Sequence, residues 1–143
     1  MNNEAKEILY DAIIVGDQAS FTITVTADLV NNFAELSGDM NPLHMDDTYA
    51  EGTPFGHRIA HGAIIEALFS RLIGMHLPGK YSLYLSQTLR FHEPVPIDTE
   101  IVIRGEVKHK TDAHKTVSIR TTAEDVRTKQ LLVSGDAMVQ LLK

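Results

Sequence analysis

The stretch from Gly62 to Met75 constrains the fold of this chain more than any other. Ala63, Ile64, Ile65, Ala67, Leu68, Phe69, Leu72, Ile73 and Met75 fall around the whole circumference of a helix, and only Glu66, Ser70 and Arg71 interrupt them. A helix that is apolar on all sides has no face for water, so other elements are expected to enclose it. Pro78 and Gly79 end it. Everything downstream reads with a period of two. Tyr81, Leu83, Leu85, Leu89 and Phe91 share one face of a run, and Ile101, Ile103 and Val107 alternate in the next. Val117 and Ile119 mark a third strand, and Val133, Ala137, Val139 and Leu141 a fourth. Glu93–Pro96, Thr111–Ala113 and Arg127–Lys129 are turn-like interruptions.

Upstream, Phe21, Ile23 and Val25 alternate with Thr22 and Thr24, the pattern of a strand. Thr26 is placed to cap a helix, with Asp28 in its first turn, Leu29, Phe33 and Leu36 at helical spacing and Gly38 as the stop. A polar loop runs from Gly38 to His44. A short helix is expected over Asp46 to Glu51, closed by Gly52, and Gly52 to Arg58 reads as loop. Strands grouped after helices imply an antiparallel sheet in an α+β domain. A single greasy helix and a single long sheet fit together when the sheet curls around the helix, which is the hot-dog fold. No repeat or linker divides the chain, so residues 1–143 are read as one domain.

Charge and composition narrow the function. Nineteen acids against thirteen bases leave a net charge of −6, the opposite of the basic surface on which nucleic-acid affinity rests. With no cysteine, the chain has no disulfide, no thiolate metal site and no cysteine nucleophile. No run approaches ~18 apolar residues, so no membrane span is expected. The opening MNNEAKEILYDAI does not read as a secretory signal, and the expected location is the cytoplasm.

The chemistry concentrates in Ser37-Gly38-Asp39-Met40-Asn41-Pro42-Leu43-His44. Gly38 permits a sharp turn and Pro42 stiffens the exit, so Asp39, Asn41 and His44 can converge on one small volume. A carboxylate beside an imidazole can hold a water, one group taking a proton while the other gives one. That suits adding water to, or removing it from, a carbon–carbon double bond. Gly-Asp-x-Asn-Pro is equally a helix stop followed by an Asx turn, and hydrogen-bonding duty for His44 is the plainer alternative. His61-Gly62 stands directly before the buried helix, whose first N–H groups have no internal partner. The Gly62 N–H could therefore stabilise a thioester enolate as an oxyanion donor.

Phe33, the run Ser37 to His44, Asp46, Tyr49-Ala50, Phe55-Gly56, Ile59-Ala60-His61-Gly62, Ser70, Leu77-Pro78-Gly79 and Tyr84 to Phe91 together resemble the MaoC-like dehydratase family, specifically the R-specific enoyl-CoA hydratases (hydratase 2). The resemblance covers nearly the whole chain. It implies a hot-dog fold and reversible syn hydration of trans-2-enoyl-CoA to (R)-3-hydroxyacyl-CoA. It further implies that Asp39 and His44 are the catalytic pair, Asn41 orients the water, the Gly62 backbone is the oxyanion donor and Ser70 supports the site. No metal or redox cofactor is implied. The expected partners are an acyl-CoA thioester substrate and a second copy of the chain in a homodimer or higher homo-oligomer, with no nucleic acid and no membrane.

Other readings of the residues stand beside this one. His44, His57, His61 and His76 with Asp46 and Asp47 raise a metal site, although Gly56 and Gly62 flank the His57-x3-His61 pair and make a continuous ligand helix doubtful. His61 is expected to fix the loop ahead of Gly62. Glu66, inside the greasy helix, is expected to face a second subunit or to pair with Arg71 or Arg90, or else to limit the acyl pocket. Lys80, Arg58 and Arg90 are candidates for a basic patch. An acyl-thioester hydrolase, a 3-hydroxyacyl-carrier-protein dehydratase or a non-catalytic acyl-CoA binder are the competing functions on such a fold.

Overall fold

A computed structural model describes residues 3–143. Six strands form a single antiparallel sheet: β1 (Gln18–Val25), β2 (Ser82–Gln87), β3 (Arg90–Phe91), β4 (Thr99–Thr111), β5 (Thr116–Asp125) and β6 (Leu131–Leu141). Their spatial order is β1-β4-β5-β6-β2, with β3 paired beside β6. Four helices precede most of the sheet: α1 (Ala27–Ser37), α2 (Pro42–Met45), α3 (Asp47–Glu51) and α4 (Gly62–Arg71). The chain leaves α4 through a wider π turn, Leu72–His76.

α4 is the axis of the core. Its Ile65, Phe69 and the following Leu72 are fully buried and share one cluster with Val25, Ile101, Ile103 and Val133 from the sheet. Each such side chain contributes on the order of 1.5–3 kcal/mol by leaving water. The inward positions of β4, β5 and β6 are those the alternation marks, Ile101, Ile103, Val107, Val117, Ile119, Val133, Ala137, Val139 and Leu141, all buried. The sheet therefore wraps the helix as a hot-dog fold.

The caps upstream fall where the sequence puts them. Thr26 accepts a bond from the Leu29 N–H at 3.1 Å, and Gly38 ends α1 in the left-handed region at φ 79°. Asp46, expected as the first residue of the short helix, is instead its cap, accepting from the Tyr49 N–H at 3.0 Å, and Gly52 follows α3. β1 extends beyond the expected Phe21–Val25 to begin at Gln18.

Three expectations are corrected. The polar loop does not run through to His44, because Asn41 caps and Pro42 opens a one-turn helix, α2, that carries His44. Proline at the first helical position lacks only an N–H that would be unpaired anyway. The eleven-residue run after Gly79 is broken into β2 and β3, with a bulge between Tyr84 and Ser86. The five residues read as one face do not share it: Leu83, Leu85 and Phe91 are exposed, while Tyr81 and Leu89 pack against the core, as does Tyr84. A bulge and a break shift the alternation, so period-two spacing no longer keeps these residues on one face. Finally, α4 is not enclosed on all sides: Ala63, Glu66, Ala67 and Ser70 form an exposed stripe at helical spacing. Among the described residues no helix is long and apolar enough to cross a membrane.

Candidate active site

The site is built where the α1–α2 turn meets the start of α4. The turn is held by its own side chains. The Asp39 N–H donates to Ser37 Oγ at 3.1 Å, the Asn41 N–H to Asp39 Oδ1 at 3.1 Å, and the Leu43 N–H to Asn41 Oδ1 at 2.9 Å. Asp39 is half exposed, so its carboxylate is braced by one backbone N–H and still open to a ligand. Asn41 commits its oxygen to capping α2, leaving its NH2 to point elsewhere. The Asx-turn alternative read from the sequence is thus realised, and it is the device that presents the side chains.

His44 is oriented from the opposite side. Its Nδ1 lies 2.7 Å from the Ile59 carbonyl oxygen. A carbonyl only accepts, so Nδ1 carries the proton and Nε2 is the ring nitrogen left free. Arg58 steadies the same turn: its Nε donates to the His44 carbonyl and its Nη2 to Asn31 Oδ1 on α1 at 2.8 Å. Arg58 was a candidate for a basic patch; here it links α1 to α2, and no motif in the sequence marks that duty.

His61 precedes Gly62 and reaches back. Its Nε2 lies 2.9 Å from the Asp39 carbonyl oxygen and 4.0 Å from Asp39 Oδ2. Its ring lies against His44, with centroids 4.0 Å apart, and against Phe33 at 4.9 Å. One donor atom each from Asp39, His44 and His61 falls within 4.8 Å of the others. Those three residues are the set that could hold a cation. The other members of the histidine-rich group are elsewhere: His76 stacks on Phe21, and His57 is exposed.

A cleft of about 370 Å³ opens beside this group, lined by His44, Ile59, Gly62, Ile65, Phe91 and Val95 among others. The Gly62 N–H stands in the first turn of α4, where no intrahelical acceptor exists and the helix dipole favours negative charge. Phe91 covers Gly62 so closely that a β-carbon there would meet its ring at 2.7 Å. Period-two patterning gave Phe91 to the sheet and nothing in it signalled a wall of the site. The arrangement offers an acid–base pair, an anion-stabilising amide and an apolar wall in one place.

Ser70 lies two turns along α4 on the exposed stripe and does not line this cleft. Glu66 is exposed beside Tyr84, Leu85, Ser86 and Gln87. It makes no ion pair with Arg71 or Arg90 among the described residues; Arg71 instead lies over the Phe21 ring at 4.1 Å. Tyr84 donates to Gln87 Oε1, and burial, reinforced by the Glu66 charge, pushes its phenol up to about 12.

The chain is similar to known proteins along most of its length. Residues 14–128 match the family described as MaoC like domain. The (R)-specific enoyl-CoA hydratase of Aeromonas caviae is 39% identical over 127 residues, 89% of this chain and 94% of that protein. The 3-hydroxybutyryl-CoA dehydratase of Methylorubrum extorquens is 31% identical over 140 residues, 98% of this chain and 88% of that protein. Among solved structures, R-hydratase PhaJ1 from Pseudomonas aeruginosa superposes with a TM-score of 0.91 at 35% identity, covering 96% of this chain and 87% of that one.

Proposed function

This chain belongs to the MaoC-like domain family, and we propose that it is an (R)-specific enoyl-CoA hydratase, reversibly adding water to trans-2-enoyl-CoA to give (R)-3-hydroxyacyl-CoA. The observation that carries the reading is the approach of the Asp39 carboxylate and the His44 ring, within 4.8 Å of each other, beside the unpartnered amide that starts α4.

In this reading the thioester carbonyl accepts a bond from the Gly62 N–H, which draws electron density from C3. A water held by Asp39, His44 and the Asn41 amide loses a proton to the pair as its oxygen bonds C3. The resulting enolate is stabilised at Gly62 and collapses as the pair returns a proton to C2. One O–H bond and the C2–C3 π bond break, C3–O and C2–H form, and the pair ends as it began. Asp39 and His44 share the proton and act as one unit. Both come from a single turn and its short helix, so hydroxyl and proton reach the same side of the double bond, which is syn addition. The steps as written need no metal or redox group. The apolar cleft walls accept the acyl chain.

A second copy of the chain completes the protein. The stripe Ala63, Glu66, Ala67 and Ser70 on α4 and the outward Leu83 and Leu85 of β2 lie on neighbouring elements. β2 is an edge strand with free backbone groups, a surface that invites pairing. Two copies joined there make a continuous sheet, with Ser70 in its supporting role at the inner side of the joint. The location is the cytoplasm.

The test is a hydration assay that follows loss of conjugated enoyl absorbance across acyl chain lengths, with chiral analysis of the product and a parallel measurement of free coenzyme A. Formation of (R)-3-hydroxyacyl-CoA without thiol release is expected. Thiol release without hydration assigns the chain to hydrolysis instead.

A further inference from the structure

His61 is 2% exposed and starts α4, yet it makes no cap to its own helix. Its one polar contact runs across 22 positions to the carbonyl oxygen of Asp39. Since that oxygen only accepts, Nε2 carries the proton. Nδ1 is buried with no partner among the described residues. An unpaired buried polar nitrogen is unfavourable, and a phenylalanine would fill the same space between Phe33 and His44 without it. Packing alone does not explain a histidine here; a directed N–H does.

We propose that His61 is a positioning residue for the hydration reaction: its ring, donating from Nε2 to the Asp39 backbone and stacked on His44, fixes the acid–base pair relative to the Gly62 amide. The inference rests on the functional reading above. A single side chain here touches both members of the pair and is covalently joined to the residue whose N–H receives the substrate oxygen. The charged or titratable groups that face it are Asp39, 4.0 Å from Nε2, and His44, against its ring. Rotation or loss of this ring would let the turn at Asp39 drift from the start of α4, and displacement of about 1 Å is enough to lower turnover by ~100-fold.

Two variants separate the donor from the ring. His61→Phe keeps the stack and removes the N–H; His61→Gln keeps an N–H and removes the stack. With thermal unfolding recorded for both, His61→Phe is expected to lose turnover by ~100-fold with KM within about threefold. His61→Gln is expected to recover turnover to within about tenfold of the parent. Wild-type turnover in His61→Phe overturns the proposal, as does equal loss in two folded variants. Nitrogen NMR of the parent protein with labelled histidine reads the same claim without any substitution. A proton on Nε2 supports it, and an Nε2 without a proton refutes it even if both variants unfold. If the parent protein hydrates nothing, the functional reading fails, and the tautomer still decides whether His61 is held as described.

Discussion

Phe91 lies over the start of α4, its ring so near Gly62 that an added β-carbon would sit 2.7 Å from Cε1 and 3.0 Å from Cζ. The ring belongs to a short edge strand and is 57% exposed, so it can swing away when pushed. Gly62→Ala is therefore expected to fold with little loss of thermal stability, alanine being a better helix residue than glycine. Hydration is expected to fall by at least about tenfold, because the displaced ring narrows the approach to the amide. Combining it with Phe91→Ala is expected to return part of that activity. Steady-state kinetics on both singles and the double variant check this, and independent effects of the two substitutions would contradict the contact.

Arg58 ties the turn that carries His44 to α1 through the His44 carbonyl and Asn31 Oδ1. Arg58→Met keeps much of the stem and removes both bonds. Its stability loss is expected at about 1.5–3 kcal/mol by chemical denaturation, the usual range for a hydrogen bond involving a charged group. Turnover is expected to drop more than substrate binding, since the cleft walls remain.

The exposed stripe on α4 gives the test of assembly. Ala67→Asp places a charge at the middle of the proposed joint, where burial without a partner is costly. Sedimentation is expected to show two copies for the parent chain and one for the variant, with hydration reduced together with association. A parent chain that sediments as one copy while fully active would remove the second subunit from the account.

Local signals read well from the sequence where one residue type answers one physical need. Thr26 and Gly38 are such cases, because a cap requires a short side-chain acceptor or a left-handed backbone. The inward positions of β4 to β6 were legible for the same reason. The single face read for Tyr81, Leu83, Leu85, Leu89 and Phe91 failed because the bulge in β2 and the break before β3 interrupt the alternation. α4 misled because exposed alanines count as apolar just as core residues do. At the site, the turn from Ser37 to His44 and the His61-Gly62 step were visible as residues. The reach of His61 to Asp39 and of Arg58 to His44 joins positions far apart in the chain, and no local pattern encodes it.

Tyr10 offers a prediction away from the site. Its hydroxyl donates to Asp112 Oδ1 at 2.7 Å, and burial, helped by that acceptor, raises the phenol from its ordinary value of 10.0 to about 12. A raised value in the folded state means that the protonated form is held by folding. The contribution is full below pH 10 and is lost as pH climbs toward about 12. The melting temperature of the parent is expected to fall more steeply than that of Tyr10→Phe over that interval. Parallel curves would remove the bond from the account.

The central claim is tested most directly by Asp39→Asn. Asparagine has the same shape and can still accept the Asn41 N–H that closes the turn, so the scaffold is kept while the proton acceptor is removed. The rate of enoyl-CoA hydration, measured with the melting temperature unchanged, is expected to fall by ~10³-fold, within the usual range for acid–base catalysis. Turnover within about tenfold of the parent would show that the carboxylate does not share the proton with His44, and the proposed chemistry would have to be abandoned.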